Sequence, residues 1–275
     1  MKKLGRLGNA IFRLFAVITF CITYDMNSII INYEDDDENE YKPTVIIDDI
    51  YFNNVLDVFI KKRKVPVLDK NSVIIFKGYF QHDQIYLSNK EKIKNFIRTH
   101  PYLILETDHS DKYRAIDIID FELPLSKQHC NIVLHLRLED FIDISWVMHP
   151  DTVKRILEEL VCEYPENTIT IVINKPTTEL EQKYISYLTQ NITNFKIESN
   201  DVITDFTIMR KAKILVCSCS TLSWAASMLS ETLEKVYFPN LKKKFIWETI
   251  TAPIANTVKY DYHECTREEL ITILE

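Results

Sequence analysis

Residues 205–224 read DFTIMRKAKILVCSCSTLSW. The pattern predicts a helix over 205–211, a buried strand over 214–217 and a further helix that begins near residue 222. The turn before the second helix is rich in hydroxyl groups: Ser218, Ser220, Thr221 and Ser223. Backbone N–H groups at the start of a helix favour an anion, and hydroxyl groups add further donors. The turn therefore predicts a phosphate site, although N-capping by Ser220 or Thr221 alone is the simpler alternative.

The same alternation of strand and helix extends through the second half of the chain, from Cys130 onward. Strands are predicted at 132–137, 168–173, 195–197, 214–217 and 235–238, and helices at 152–163, 178–189, 205–211, 222–229 and 267–274. Strands that alternate with helices indicate βαβ units and a parallel sheet. The second half is therefore expected to be a doubly wound α/β domain of the nucleotide-binding type.

The first half of the chain is less regular. Strands are predicted at 28–32 and 73–76, and helices at 10–24, 55–61 and 89–99. The polar stretch 110–127 suggests a domain boundary near residue 128. Two domains of ordinary size would then cover residues 1–128 and 129–275. An alternative for the last helix is that it packs back on the N-terminal domain.

Composition narrows the class of protein. The chain has 275 residues and a formal net charge of −7, and nucleic-acid-binding proteins are more often basic, so no nucleic-acid partner is expected. The six cysteines lack the spacing of a zinc site or of a disulfide framework, which indicates reduced thiols in the cytoplasm. The apolar run 11–24 contains Arg13 and is shorter than the roughly 20 residues of a membrane span, so a buried helix is expected and no transmembrane segment.

The strand IVLHLR at 132–137 carries two polar side chains near its carboxyl end. Residues two apart on a strand share a face, so His135 and Arg137 are expected to point the same way. Ligands of open α/β sheets bind at the carboxyl ends of the strands. There the arginine suits bidentate binding of a phosphate, and the histidine suits a base or a ribose. An edge strand with two solvent-facing polar residues is the alternative.

Glycine is rare in this chain. There are only three, Gly5, Gly8 and Gly78, where average usage would give about 19. Gly5 and Gly8 lie just before the first predicted helix in GRLGN, and Gly78 follows the strand at 73–76 in KGYFQHDQIY. Glycine lets a backbone approach a ligand closely, so both segments are candidate binding loops. No Gly-Lys-Ser/Thr follows the first segment, which excludes a phosphate-binding P-loop, and an ordinary strand-to-helix turn is the alternative for the second.

Taken in order, these four segments resemble the alpha-1,2-fucosyltransferase family of the GDP-fucose-dependent glycosyltransferase superfamily. The family's GGLGNQMF is similar to GRLGNAIF at 5–12, its GYFQ stands unchanged at 78–81, and its HVRRGDY is similar to HLRLEDF at 135–141. Its DFxxM and SNSSFSW correspond to DFTIM at 205–209 and SCSTLSW at 218–224. All three glycines fall inside these segments, which span most of the chain.

The resemblance implies a GT-B fold, in which two Rossmann-like domains with parallel sheets face a cleft. It implies an inverting transfer of fucose from GDP-fucose to a glycan hydroxyl, with an alpha-1,2 linkage. The implied reaction requires no metal or other cofactor. The nucleotide sugar and the glycan acceptor are the implied partners. By position, Arg137 would bind the β-phosphate, and His135 and Asp205 the guanosine end. Ser220, Thr221 and Ser223 would bind phosphate oxygens, and Ser218 would belong to the donor site in the same turn. Gly8 and Asn9 would line the cleft from the N-terminal domain.

Four positions depart from the family pattern: Ala10, Leu138, Glu139 and Ala225. Because Leu138 replaces the second arginine of the signature, two alternatives stay open. One is a GT-B transferase that uses another nucleotide sugar, and the other is a non-catalytic relative that binds a nucleotide or a glycan. A carboxylate is expected to activate the acceptor hydroxyl, and the candidates are Asp140, Glu139 and Asp83. Arg137 and Asp140 are the favoured catalytic pair, although Asp140 is as well suited to holding the loop after the strand.

Overall fold

The computed structural model describes residues 7–24, 26, 44–48, 73–77, 80–81, 83–107, 111–128, 130–240, 251–263 and 265–275. The predicted strand at 28–32 and helix at 55–61 lie outside these residues, as do Gly5 and Gly78. The chain divides into two compact units. The first comprises Met1–Ile119 and Thr249–Thr251, and the second comprises Asp120–Glu248 and Ala252–Glu275.

The first unit is organised around a long buried helix. Its elements are α1 (Leu7–Thr23), β1 (Thr44–Asp48), β2 (Val73–Lys77), α2 (Asp83–Ser88), α3 (Lys90–Thr99), β3 (Ile104–Glu106), β4 (Lys112–Arg114) and, at the boundary, α4 (Asp117–Asp120). Strands β1 and β2 pair in parallel, and β3 and β4 pair antiparallel. Helix α1 packs against α2, α3 and β3 through buried side chains that include Phe12 and Phe15. Within the described part of the chain, no helix has both the length and the apolar character needed to cross a bilayer.

The second unit contains the alternating half of the sequence. After a short 3₁₀ turn (Leu125–Lys127), its elements are β5 (Ile132–His135), α5 (Glu139–Asp143), α6 (Pro150–Glu163), β6 (Ile169–Val172), α7 (Glu179–Thr189), β7 (Phe195–Glu198), α8 (Val202–Arg210), β8 (Ile214–Val216), α9 (Thr221–Leu229), β9 (Lys235–Asn240), β10 (Thr257–Asp261) and α10 (Arg267–Leu274). The last helix packs against α7 within this unit.

The strands of the second unit form one six-stranded parallel sheet in the order β10-β9-β8-β5-β6-β7. The chain therefore builds outward from β5 to β7, returns to place β8 beside β5, and builds outward again to β10. This is the doubly wound order of dinucleotide-binding domains, in which ligands bind where the winding direction reverses. The predicted α/β class and the parallel sheet of the second half are confirmed, and the reversal point lies between β5 and β8.

The central strands of the sheet are buried on both faces. Every residue of β5, β6 and β8 is buried, as expected for parallel strands that helices cover on each side. Ile132, Leu134 and Ile171 belong to a core that includes side chains from α6, α7 and α10. Helix α8 packs on β5 and β6 and against α9. Each fully buried aliphatic side chain contributes about 1.5–3 kcal/mol, so these layers fix the strand ends that carry the polar residues.

Helix starts follow local capping chemistry that the apolar pattern alone missed. Asp201 caps α8 by accepting from the N–H groups of Ile203 and Thr204, so the helix begins before the predicted residue 205. His149 caps α6, and Pro150 occupies its first turn, where proline is favoured. Strand β5 is shorter than predicted. It ends at His135, and the ladder continues only through the N–H of Leu136, which donates to Val172 O at 2.9 Å. Arg137 therefore lies in the connection after β5, and the same-face argument does not apply to it.

Candidate functional site

His135 and Ser218 meet at the reversal point of the sheet. His135 is the last residue of β5, Ser218 follows β8, and His135 Nδ1 lies 2.9 Å from Ser218 Oγ. Both side chains are buried. Burial, assisted by the charge of Arg137, lowers the pKa of His135 to about 3. The imidazole is therefore neutral near pH 7, and one of its ring nitrogens donates while the other accepts.

The hydroxyl-rich turn after β8 is closed by its own hydrogen bonds. Ser220 is the N-cap of α9 and accepts from Leu222 N at 3.3 Å, while Ser220 N donates to Ser218 O at 2.8 Å. The Ser223 hydroxyl donates to Ser218 O at 3.3 Å and to Ser220 O at 3.1 Å, and Ser223 has no exposed surface. Thr221 is the first residue of α9. The turn thus presents the amino end of α9 next to His135, and Ser223 holds the turn from below.

Arg137 is fixed by two neighbours in the loop after β5. Its Nη2 lies 2.8 Å from Asp140 Oδ2 and its Nε lies 3.3 Å from Asp140 Oδ1, which is a bidentate ion pair. Its Cζ lies 4.3 Å from the centroid of the Phe141 ring, within the range of a cation–π interaction. The Arg137 side chain keeps 19% of its surface exposed and that of Asp140 keeps 33%. The guanidinium is therefore held in place and remains partly accessible.

Electrostatic effects connect Arg137 with the hydroxyl-rich turn. Burial raises the pKa of the Cys219 thiol to about 12, and the charge of Arg137 acts in the opposite direction. The same charge contributes to the low pKa of His135. Arg137 thus lies within electrostatic range of His135 at the end of β5 and of Cys219 in the turn after β8. A guanidinium and a helix amino end at one edge of a sheet form an environment that favours a phosphate or diphosphate.

Glu181 joins this loop to the rest of the unit, and the sequence patterns did not single it out. Its Oε1 accepts from Glu139 N at 3.1 Å, and its Oε2 accepts from Thr177 N at 2.7 Å and Thr178 N at 2.8 Å. Burial alone would raise the pKa of the Glu181 carboxyl, but these hydrogen bonds outweigh it and the pKa is lowered. The Thr178-x-x-Glu181 capping box is visible in the sequence as a helix start, whereas its bond to Glu139 is not.

Asp205 lies in the first turn of α8 and is occupied by a neighbouring asparagine. Its carboxylate accepts from Asn200 N at 3.2 Å and from Asn200 Nδ2 at 2.8 Å. Burial raises its pKa, and the hydrogen bonds from Asn200 partly offset that rise. Lys127 donates to the Oδ1 atom of Asn200 and, at 2.9 Å, to Glu198 Oε2. This polar group lies at the end of β7, two strands or about 10 Å from β5.

Two of the four segments meet inside the first unit. Gly8 and Asn9 lie in the first turn of α1, which begins at Leu7, so they do not precede the helix as predicted. Gln81 Nε2 lies 3.4 Å from Asn9 Oδ1, which joins the first segment to the GYFQ segment. Phe80 has a φ of 51°, and Tyr86 OH donates to its carbonyl at 2.6 Å.

Asp83, one of the candidate general bases, is engaged in the same unit. Its Oδ2 accepts from the backbone N and from the Oγ1 of Thr251, each at 2.5 Å, and the side chain is buried. The structure therefore gives Asp83 the role of tying Thr251 to the start of α2.

A cavity of about 680 Å³ lies elsewhere in the second unit, at the starts of α6 and α10. Its lining includes His149, Asp151, His263 and Glu269, but none of the residues at the reversal point. His149 and Glu269 are engaged in capping their helices. Over the described residues, no group of three or more His, Cys, Asp or Glu side chains is arranged to hold a metal ion.

Comparison with known proteins finds limited structural similarity and no matching family. No protein-family model matches the sequence, and no curated protein matches it. Among solved structures, a similar chain is that of E. coli heptosyltransferase WaaC with ADP, with a TM-score of 0.38 and 11% sequence identity. The match covers 56% of this chain and 45% of that chain, so it spans less than half of the heptosyltransferase. We therefore base the functional assignment on the residues at the reversal point.

Proposed function

We propose that the chain is a glycosyltransferase that moves fucose from GDP-fucose to a glycan hydroxyl with inversion. The observation that carries the proposal is the contact of His135 Nδ1 with Ser218 Oγ at 2.9 Å across the reversal point of a doubly wound sheet. This contact joins two segments that resemble the alpha-1,2-fucosyltransferase family. It also sets the amino end of α9 beside a strand end within electrostatic range of Arg137.

Arg137 and α9 are proposed to stabilise the leaving diphosphate. In an inverting transfer the acceptor hydroxyl gives its proton to a general base as its oxygen attacks the anomeric carbon, and the bond from that carbon to the phosphate oxygen breaks. The electron pair of the broken bond stays on the diphosphate, whose charge a guanidinium and helix N–H groups can stabilise. Charge-assisted hydrogen bonds of this kind contribute about 1.5–3 kcal/mol each. Ser220 and Thr221 are the proposed hydroxyl donors, whereas Ser223 holds the turn.

Asp140 is proposed to orient Arg137. Its two oxygens are engaged by the guanidinium at 2.8 and 3.3 Å, so the carboxylate is occupied by Arg137. Its catalytic contribution is therefore to fix the cation that faces the diphosphate. The neutral His135 is proposed to bind the ribose or the base, and Asp205 to shape the guanosine end by holding Asn200.

A second candidate is favoured by the placement of Leu138. This residue replaces the second arginine of the family signature and is 2% exposed within the apolar core. The loop after β5 thus offers an apolar side chain where the family has a second cation. A transferase for another nucleotide sugar, or a non-catalytic relative that binds a nucleotide or a glycan, is the alternative that follows.

A ligand screen followed by an activity assay tests the proposal. A ligand that binds only the native state raises the melting temperature, so GDP, UDP, dTDP and CMP are compared in a thermal-shift experiment. We expect GDP to give the largest shift and GDP-fucose to be hydrolysed slowly without an acceptor. A chain stabilised by UDP and indifferent to GDP would contradict the donor assignment. Stabilisation by GDP without hydrolysis or transfer would favour the non-catalytic relative.

A further inference from the structure

We infer that Glu181 is a positioning residue for Arg137: through the N–H of Glu139, its carboxylate holds the loop that presents the guanidinium to a diphosphate. This inference rests on the proposed function, in which Arg137 binds the diphosphate of the donor. Glu181 is 2% exposed and lies on α7, outside all four segments that carry the family resemblance. It reaches the segment after β5 from the first turn of α7.

The loop needs an external tether because its own geometry is unfavourable. Glu139 has a φ of 28°, in the left-handed region that is unfavourable for a residue with a Cβ. Helix α5, which begins at Glu139, has five residues, too few to be stable without tertiary contacts. The bond from Glu139 N to Glu181 Oε1, 3.1 Å long, fixes the backbone directly before Asp140. Asp140 in turn holds Arg137, so the tether acts on the cation through one residue.

The two carboxylate oxygens of Glu181 accept hydrogen bonds from different segments of the chain. Oε2 accepts from Thr177 N, Thr177 Oγ1 and Thr178 N, at 2.7, 3.3 and 2.8 Å, and so completes the capping box of α7. Oε1 accepts from Glu139 N. A glutamine has one acceptor oxygen and one NH₂ group, and glutamine is competent in a capping box. In Glu181→Gln the oxygen is expected to stay on the side with more donors, which turns the NH₂ group toward Glu139 N–H.

Glu181→Gln therefore breaks the tether and keeps the cap. A matched control is available at Glu269, which occupies the same position in the capping box of α10, where Thr266 N donates to Glu269 Oε2 at 2.9 Å. Thr178→Ala is the complementary variant, because it removes the Thr178 hydroxyl that caps Glu181 N and leaves the bond between Glu181 and Glu139. The first variant should affect the diphosphate contact, and the other two should affect helix stability alone.

The experiment measures the dissociation constants of GDP and guanosine by calorimetry for wild type, for the single variants Glu181→Gln, Glu269→Gln, Thr178→Ala and Arg137→Ala, and for the double variant that combines Glu181→Gln with Arg137→Ala. We expect Glu181→Gln to weaken the binding of GDP about tenfold, because one charge-assisted contact is misplaced. The affinity for guanosine should stay within about twofold of the wild-type value. Glu269→Gln and Thr178→Ala should bind both ligands as wild type does. In the double variant with Arg137→Ala, the loss should be no larger than for Arg137→Ala alone, because both changes remove the same contact.

The outcomes separate the inference from the function on which it rests. If Arg137→Ala weakens GDP while Glu181→Gln binds it like wild type, the positioning role is wrong and the proposed function stands. Equal loss of GDP and guanosine in Glu181→Gln, or additive losses in the double variant, would reduce Glu181 to a structural residue. If wild type binds neither GDP nor another nucleoside diphosphate, the proposed function fails and takes the inference with it.

Discussion

The two loops that flank the reversal point are built in opposite ways. The turn after β8 is closed from within, because Ser218, Ser220 and Ser223 bond to one another and to the first turn of α9. The loop after β5 bends through a positive φ at Glu139 and is held by Glu181, 42 residues further along the chain. One loop is thus held by its own short-range hydrogen bonds, and the other by a carboxylate that is remote in the sequence.

Removal of the cation should give the largest effect, because it leaves the turn without its partner. We expect Arg137→Ala to lower turnover with GDP-fucose tenfold to a thousandfold, which corresponds to about 1.4–4 kcal/mol of lost stabilisation of the leaving group. Steady-state kinetics with saturating acceptor measure the loss. Arg155→Ala, at an exposed position on α6, is the matched control and should retain wild-type turnover. Wild-type-like transfer by Arg137→Ala would refute the role of the guanidinium.

The neutral histidine that bridges the two loops makes the second unit sensitive to acid. The pKa of His135 falls from an ordinary value of 6.5 to about 3 in the folded protein. Below pH 6.5 the unfolded chain binds a proton at this residue and the folded chain does not. The free energy of unfolding therefore falls as the pH decreases, by at most about 1.4 kcal/mol per pH unit. Above pH 6.5 both states are neutral, and the residue makes no pH-dependent contribution.

Urea denaturation at two pH values tests this linkage. Between about pH 7 and pH 5, His135 is expected to account for roughly 2 kcal/mol of lost stability, and His135→Asn should lack that share. His263→Asn, at an exposed position, is the control and should keep the slope of wild type. An unchanged slope in His135→Asn would mean that the imidazole is not held neutral at the reversal point.

The self-contained turn is tested at its cap. Ser220→Ala removes the acceptor of Leu222 N and should lower the free energy of unfolding by about 1 kcal/mol. It should also weaken the binding of GDP, because the amino end of α9 is no longer held by its cap. Thr266→Ala at the cap of α10 should lower stability by a similar amount and leave GDP binding intact. Chemical denaturation and calorimetry measure the two quantities, and loss of GDP in both variants would contradict the local role of Ser220.

A substitution at Glu139 tests the bend of the loop after β5, and it should change the free energy of unfolding least. Glycine adopts positive φ without the penalty of a Cβ, but it gains entropy in the unfolded chain, so Glu139→Gly should raise stability by about 0.5 kcal/mol. Glu158→Gly is an exposed glutamate in ordinary helical geometry on α6 and should lower stability by about 1 kcal/mol. Denaturant midpoints give both values. A loss in Glu139→Gly as large as that in Glu158→Gly would argue against strain at residue 139.

The sequence predicts local structure at this site and misses what is distant. The strand, turn and helix around Ser218 and Ser220 follow from a short apolar run and a cluster of capping residues, and the structure has them within a residue or two. The pattern predicts that β5 ends at Arg137, two residues beyond its actual end at His135, because the apolar alternation continues through Leu136. The strand β10 was not predicted, since its polar and apolar residues alternate like those of a surface segment.

Long-range polar contacts explain the rest of the difference. The bond from Glu139 to Glu181 and the engagement of Asp205 by Asn200 depend on which loops the fold brings together, and no periodicity encodes them. The unusual residue at 139 was visible only as a departure from the family pattern, which has glycine there. Its positive φ gives that departure a physical meaning, since the backbone retains the bend that glycine would favour. The assignments of individual site residues to GDP-fucose stay predictions.

The reversal of the sheet also sets an order of assembly. Ile132 of β5 pairs with Ile214 of β8, 82 residues later, whereas the strands from β5 to β7 pair in the order in which they leave the ribosome. Closing so long a loop is entropically unfavourable and slow, so the junction of β5 and β8 is expected to form late. A nascent chain that stops short of β8 can arrange half of the sheet and still lack His135's partner. Competence to bind a ligand there would thus report that synthesis and folding have both passed β8.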